Sequence, residues 1–71
     1  MITTTLGIEG MACSMCEAHI NDAIRRNFSV KRVKSSRRKK TCVVVSEEPI
    51  DEARARAVIT ELGYDLVSYS C

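Results

Sequence analysis

The sequence predicts an α+β domain of the order β-α-β-β-α-β, in which two helices cover one face of a four-stranded antiparallel sheet. Three observations predict this fold: an alternating pattern at the N-terminus, a run of β-branched residues near the middle, and two stretches with apolar residues at helical spacing. The chain has 71 residues, a length that suits one domain with a thin core. We therefore expect a single domain over residues 1–71.

The first strand is predicted at the N-terminus. Its buried positions alternate with Thr3, Thr5 and Gly7, and this period of two is typical of a strand with one buried face. A helix follows Gly10, with Ser14 as its expected N-cap. The residues on the two predicted buried faces are Ile2, Thr4, Leu6 and Ile8 in the strand and Ile20, Ala23, Ile24 and Phe28 in the helix.

Two further strands are predicted in the middle of the chain. The second strand covers about residues 30–35, and either Asn27 or Ser29 is expected to end the preceding helix. The third strand, residues 41–45, is rich in β-branched side chains and is expected to be central in the sheet. The basic segment 36–40 between these strands is predicted to form a hairpin turn.

The last third of the chain predicts a helix and a strand. Asp51 is the expected N-cap, and Gly63 is the expected left-handed residue after the helix. Residues 64–69 supply the last strand, with Leu66 facing the core. The apolar stripe of the helix consists of Ala55, Val58, Ile59 and Leu62. The six elements together form the split βαβ, or ferredoxin-like, arrangement.

The net charge of +2 conceals a separation of charge along the chain. Residues 25–40 hold nine of the eleven lysines and arginines and no acid, and four of the nine acids cluster between residues 47 and 52. We therefore expect one side of the molecule to be basic and another acidic. Binding of nucleic acid through the basic stretch is disfavoured, because its only aromatic residue, Phe28, is predicted to be buried.

Length and composition restrict the function further. A chain this short leaves little room for an enzyme pocket, so we expect a binding protein and not an enzyme. No apolar run approaches the roughly 20 residues of a membrane-spanning helix, which predicts no direct insertion into a membrane. The first residues lack the basic and apolar segments of a secretory signal, and this predicts a cytoplasmic protein.

Cys13 and Cys16 lie three positions apart at the junction between the first strand and the first helix. If Cys13 sits on the loop and Cys16 on the opening helical turn, both sulfurs can bind one metal ion. The unpaired amides at a helix N-terminus favour thiolate, which is the form that binds metal. A redox pair is the alternative, but the chain lacks the size of a thioredoxin-like protein and a proline between the cysteines.

The motif Gly-Met-x-Cys-x-x-Cys between a first strand and a first helix resembles the signature of heavy-metal-associated domains. That family includes small copper chaperones and the N-terminal metal-binding domains of P-type ATPases. The resemblance covers nearly the whole chain, from the motif at 10–16 to the glycine and tyrosine at 63–64. It implies that the two motif cysteines bind the ion, that Met11 packs beneath the loop and that Tyr64 lies close to the site. Ser29 departs from the family pattern, which usually has a glycine there.

Two thiolates without a hard ligand suit a soft ion, above all Cu(I), with Hg(II) and Ag(I) also well served. Ala12 supplies no acid for a divalent ion, and zinc normally takes four ligands. A mercury or zinc/cadmium domain, binding Hg(II), Zn(II) or Cd(II), is therefore the alternative. His19 and Cys42 are candidate auxiliary residues, although an exposed histidine and a core cysteine are the commoner roles. A structural zinc site that adds Cys42 and Cys71 lacks a second close pair of cysteines.

Strand directions place the basic turn at the metal end. If the first strand runs toward the motif, the second runs the same way, so the turn shares that end with residues 63–64, whereas Cys71 falls at the opposite end. A basic rim steers an acidic partner, and the resemblance implies a P-type ATPase that receives the ion by thiolate exchange. The predicted docking residues are Arg37, Arg38, Lys39 and Lys40. We expect a monomer without metal, with a metal-bridged dimer as an alternative.

Overall fold

The computed structural model describes residues 1–12 and 14–70. Six elements follow one another in the predicted order: β1 (Ile2–Glu9), α1 (Ser14–Asn27), β2 (Arg32–Ser36), β3 (Thr41–Ser46), α2 (Glu52–Glu61) and β4 (Asp65–Ser70). The strands form one sheet in the order β2-β3-β1-β4, and neighbouring strands are antiparallel. The predicted ferredoxin-like fold is therefore confirmed, and β3 is central as expected.

The core lies between one face of the sheet and the two helices. Alternate residues of β1 and β3 point to that face, and Leu6, Ile8 and Val44 are fully buried there. The helices cover them with the stripes that their spacing predicts, which are Ile20, Ala23 and Ile24 in α1 and Ala55, Val58 and Ile59 in α2. Burying each large aliphatic side chain contributes about 1.5–3 kcal/mol, and this packing holds α1 and α2 against the sheet.

Several predicted boundaries, among them those of β3 and β4, are wrong by one or two residues. The helix α1 begins at Ser14 itself, so this residue lies in the first turn and not before it. The strand β2 begins at Arg32, and Val30 instead packs against the core from the connecting segment. Asn27 is the last residue of α1, and its side-chain amide donates to the carbonyl of Ala23 at 2.8 Å. The backbone N–H of Phe28 still donates to the carbonyl of Ile24 at 2.9 Å, so the helical pattern of hydrogen bonds stops just after Asn27.

Both ends of α2 follow the predicted capping pattern. The Asp51 carboxylate accepts the backbone N–H of Arg54 at 3.2 Å, which satisfies one free amide of the first turn. Gly63 has a positive φ of 94°, and the N–H of Tyr64 donates to the carbonyl of Ile59 at 3.1 Å. This reversal is the Schellman motif, which turns the chain from α2 into β4.

Candidate metal centre

Three loops meet at one end of the sheet, which we call the motif end. β1 ends there, and its Glu9 is paired with Asp65 at the start of β4. The hairpin between β2 and β3 reaches the same end, because the N–H of Ile8 donates to the carbonyl of Lys40 at 2.8 Å. The turn between α2 and β4 also lies there. The predicted placement of the basic turn and of residues 63–64 is therefore confirmed.

Cys16 is half-buried in the first turn of α1, which begins at the motif end. The first amides of a helix have no partner within it, and they favour a negative group such as a thiolate. Cys13 and Cys71 lie outside the described residues. Ala12 and Ser14, which flank Cys13 in the sequence, are both exposed. The motif end is therefore open to solvent near Cys16.

Met11 and Tyr64 lie at the motif end on the side that faces the core. Both side chains are half-buried and pack against the core. Gly10 has a positive φ of 104°, and a Cβ atom added to it would lie 3.2 Å from the ring of Tyr64. A side chain at position 10 would therefore strain the backbone and press on the tyrosine ring, and glycine avoids both.

His19 and Cys42 occupy very different environments. His19 is exposed on α1, whereas Cys42 is fully buried on the core face of β3, opposite Leu6. Burial raises the pKa of the Cys42 thiol, and a hydrogen bond with Ser35 lowers that pKa by a smaller amount. A thiol that is buried as a neutral group behaves as a small core residue. Its environment therefore favours the structural role over that of an auxiliary ligand.

Within residues 1–12 and 14–70, no three side chains among the histidines, cysteines, aspartates and glutamates come together to hold a metal ion. The described part of the structure thus supplies one motif thiol and no additional ligand cluster beside it. A thiol such as that of Cys16 is a donor that soft metal ions prefer. A two-thiolate site would consist of Cys16 and the other cysteine of the motif, Cys13.

The basic turn, defined as residues 37–40, is exposed and borders α1. A shallow groove between them is lined by Ser14, Glu17, Ser36, Arg37, Arg38 and Lys39. Glu17 was not among the predicted site residues, yet its Oε2 accepts the backbone N–H of Arg37 at 2.7 Å. No pattern in the sequence around Glu17 predicts a contact with a residue 20 positions further along the chain.

The basic stretch extends along the molecule from the motif end to the far end. The helix α1 runs away from the motif end, so Arg25 and Arg26 in its last turn lie at the far end. Lys31 lies there too and pairs with Glu47 at 3.6 Å. Within the basic stretch, the basic turn is therefore the part that lies at the motif end.

The described helices include none that is both long and apolar enough to cross a membrane. The fold and the motif define a small metal-binding domain, and the sequence agrees: residues 5–65 match the profile of the heavy-metal-associated domain. The chain belongs to the heavy-metal-associated domain family, as the resemblance predicted.

Relatives of this chain include proteins of known metal chemistry. The copper chaperone CopZ of Enterococcus hirae is 39% identical over 62 residues, which cover 80% of this chain and 84% of that protein. The solved structure of the yeast copper transporter domain Ccc2a is similar with a TM-score of 0.78 and 25% identity, covering 89% of this chain and 88% of that one. The N-terminal domain of ZntA in its Zn(II) form has a TM-score of 0.80, 23% identity, and coverage of 92% and 88%. At that identity the likeness to ZntA concerns the fold alone.

Proposed function

We propose that this protein binds Cu(I) through Cys13 and Cys16 and passes the ion to a partner such as the metal-binding domain of a P-type ATPase. The observation that carries the proposal is the 39% identity to a copper chaperone over most of both chains. The half-buried Cys16 at the start of α1 supports it, because this position combines access for an incoming ligand with amides that favour thiolate. The protein acts as a carrier in the cytoplasm and not as an enzyme.

Transfer proceeds by exchange of thiolate ligands. A thiolate of the partner adds to the bound Cu(I), and one sulfur–copper bond to this chain then breaks, so the ion is never released to water. A second exchange completes the transfer. Copper stays in the +1 state throughout, and each thiolate that leaves is free to take up a proton. An exposed site with few ligands favours this route, because an incoming sulfur finds room beside the ion.

Met11 and Tyr64 hold the site in place from the core side in this proposal. Their packing on the core fixes the chain at Met11 and at the turn between α2 and β4. His19 and Cys42 are not assigned as ligands here, since one is exposed on the helix and the other is buried beneath the sheet. The basic turn contributes the docking surface for an acidic face of the partner.

Metal competition tests the choice of ion. The reduced protein is titrated with Cu(I), Hg(II), Zn(II) and Cd(II) in the presence of a competing chelator. We expect Cu(I) to bind far more tightly than Zn(II) or Cd(II), because two thiolates match a soft ion of low coordination number. Binding of Zn(II) as tight as that of Cu(I) would overturn the copper assignment and favour zinc or cadmium handling.

Two cysteine variants test the residues. Loss of even an outer-shell partner of a metal ligand typically lowers affinity about 10–100-fold, so Cys16→Ser is expected to lower Cu(I) affinity by more than this. Cys42→Ala is the matched control, because it removes a thiol that is fully buried. Equal loss of Cu(I) affinity in both variants would contradict the assignment of the site to the motif.

A further inference from the structure

We propose that Glu17 is a positioning residue that anchors the basic turn to the first turn of α1, so that the turn and Cys16 meet a partner as one surface. This inference rests on the proposed function. The carboxylate of Glu17 accepts the backbone N–H of Arg37, the first residue of the turn, at 2.7 Å. Glu17 directly follows Cys16 in the helix, so the contact joins a motif residue's immediate neighbour to the docking surface.

A second hydrogen bond continues the same junction one helical turn further on. The hydroxyl of Ser35 donates to Oδ1 of Asn21 at 2.7 Å. Glu17 and Asn21 are four positions apart and therefore share one face of α1, while Ser35 and Arg37 are two positions apart at the end of the β2 hairpin arm. The two bonds form a polar seam between α1 and β2, and the Glu17 bond is its end nearest the motif.

The turn is held to the sheet by separate contacts. The N–H of Lys39 donates to the hydroxyl of Ser36 at 3.3 Å, and the carbonyl of Lys40 accepts the N–H of Ile8 at 2.8 Å. Glu17 supplies the corresponding contact on the helix side. A carboxylate is a stronger acceptor than a neutral group, so it holds the turn against the mutual repulsion of its four positive side chains. Without this anchor a partner has to order the turn when it binds, which costs affinity and rate.

Amide hydrogen exchange tests the anchor without any metal. In Glu17→Ala the amide of Arg37 is expected to exchange about tenfold faster, as for the loss of one hydrogen bond to a charged acceptor. Glu17→Gln keeps an acceptor oxygen at the same position and is expected to retain most of the protection. Glu61→Ala, which removes an exposed glutamate from the end of α2, is the control and should leave Arg37 unchanged. Unchanged exchange at Arg37 in Glu17→Ala would overturn the proposal.

Transfer kinetics test the consequence for docking. The probe is a synthetic peptide with a Cys-x-x-Cys sequence flanked by glutamates, compared with one flanked by glutamines. Glu17→Ala and Glu17→Gln carry the same charge, so the ratio of their Cu(I) transfer rates isolates the hydrogen bond. We expect the alanine variant to be about threefold slower toward the acidic peptide at low salt, because the turn must be ordered during the encounter.

Two outcomes of the transfer experiment are decisive. Equal rates for the two Glu17 variants, with equal Cu(I) affinities, would overturn the positioning role. A wild-type protein that transfers Cu(I) to neither peptide would instead overturn the proposed function, and the exchange rate of Arg37 would still decide whether Glu17 anchors the turn.

Discussion

At the scale of single residues, the fold places two cysteines of one chain in opposite chemical environments. Cys16 is half-buried in the first turn of a helix, where the backbone amides have no partner within the helix. Cys42 is fully buried beneath the sheet, where burial raises the pKa of its thiol. The same side chain therefore serves as a proposed metal ligand at one position and as a neutral core residue at the other.

The raised pKa of Cys42 predicts a pH dependence of stability. The folded state holds the thiol proton more tightly than the unfolded state, so this contribution is fully present below the unfolded pKa and is lost as pH rises through the folded pKa. Relative to Cys42→Ala, the free energy of unfolding of the wild-type protein should therefore fall above about pH 9. Urea unfolding of both proteins between pH 7 and 10 measures this difference. A difference that stays constant over that range would contradict the prediction.

At the scale of elements, the β2–β3 hairpin contains a left-handed residue that its sequence does not predict. Lys40 has a φ of 57°, and it is the one residue other than glycine with a positive φ in the part of the chain that the structure describes. A left-handed conformation costs a residue with a side chain about 1–2 kcal/mol. The bond from Ile8 to the Lys40 carbonyl helps to offset that cost, because it joins the turn to the central strand β1.

Glycine at position 40 should relieve this strain. We expect Lys40→Gly to raise the free energy of unfolding by roughly 0.5–1 kcal/mol, since glycine adopts a positive φ without a steric penalty. Lys39→Gly is the matched control, because it removes the same charge from the same turn at a residue without a positive φ, and it should destabilise the protein. Thermal or urea unfolding measures both variants. Equal destabilisation by the two substitutions would show that the strain at Lys40 is not significant.

At the scale of the whole molecule, the fold decides which basic residues can reach a partner of the metal site. The basic turn lies at the motif end, whereas Arg25 and Arg26 lie at the far end of α1. Charges separated by more than a Debye length, about 8 Å at physiological ionic strength, act on one another only weakly. Only the basic turn is therefore expected to steer an acidic partner toward the motif.

A pair of double variants with the same change in charge tests this steering. Arg38→Gln with Lys39→Gln should slow Cu(I) transfer to the glutamate-flanked peptide about three- to tenfold at low salt. Arg25→Gln with Arg26→Gln should change the rate much less. The difference between the two double variants should disappear at high salt, because screening removes long-range attraction. Equal slowing by both pairs at low salt would indicate that net charge alone, and not its position, controls the encounter.

Much of the fold was predictable because its signals are local. The alternation in β1, the stripes of the two helices, the Asp51 cap and the turn at Gly63 each depend on residues within a few positions of one another. The boundary errors at Ser14 and Val30 occur where a side chain's role depends on its neighbours in space. The sequence did not show which basic residues outside the basic turn share the motif end, for a related reason, since the direction of α1 carries Arg25 and Arg26 away from the motif.

The sequence by itself determined the order of the elements, the position of the motif between β1 and α1, and the family to which the chain belongs. Only the tertiary structure decided that Cys42 is buried, that Lys40 is left-handed and that Glu17 holds the amide of Arg37. These features depend on how α1 packs across β2 and how the hairpin folds back on β1. Such contacts join residues that are far apart in the chain. They arise from the packing of whole elements, and a short pattern of residues does not predict that packing.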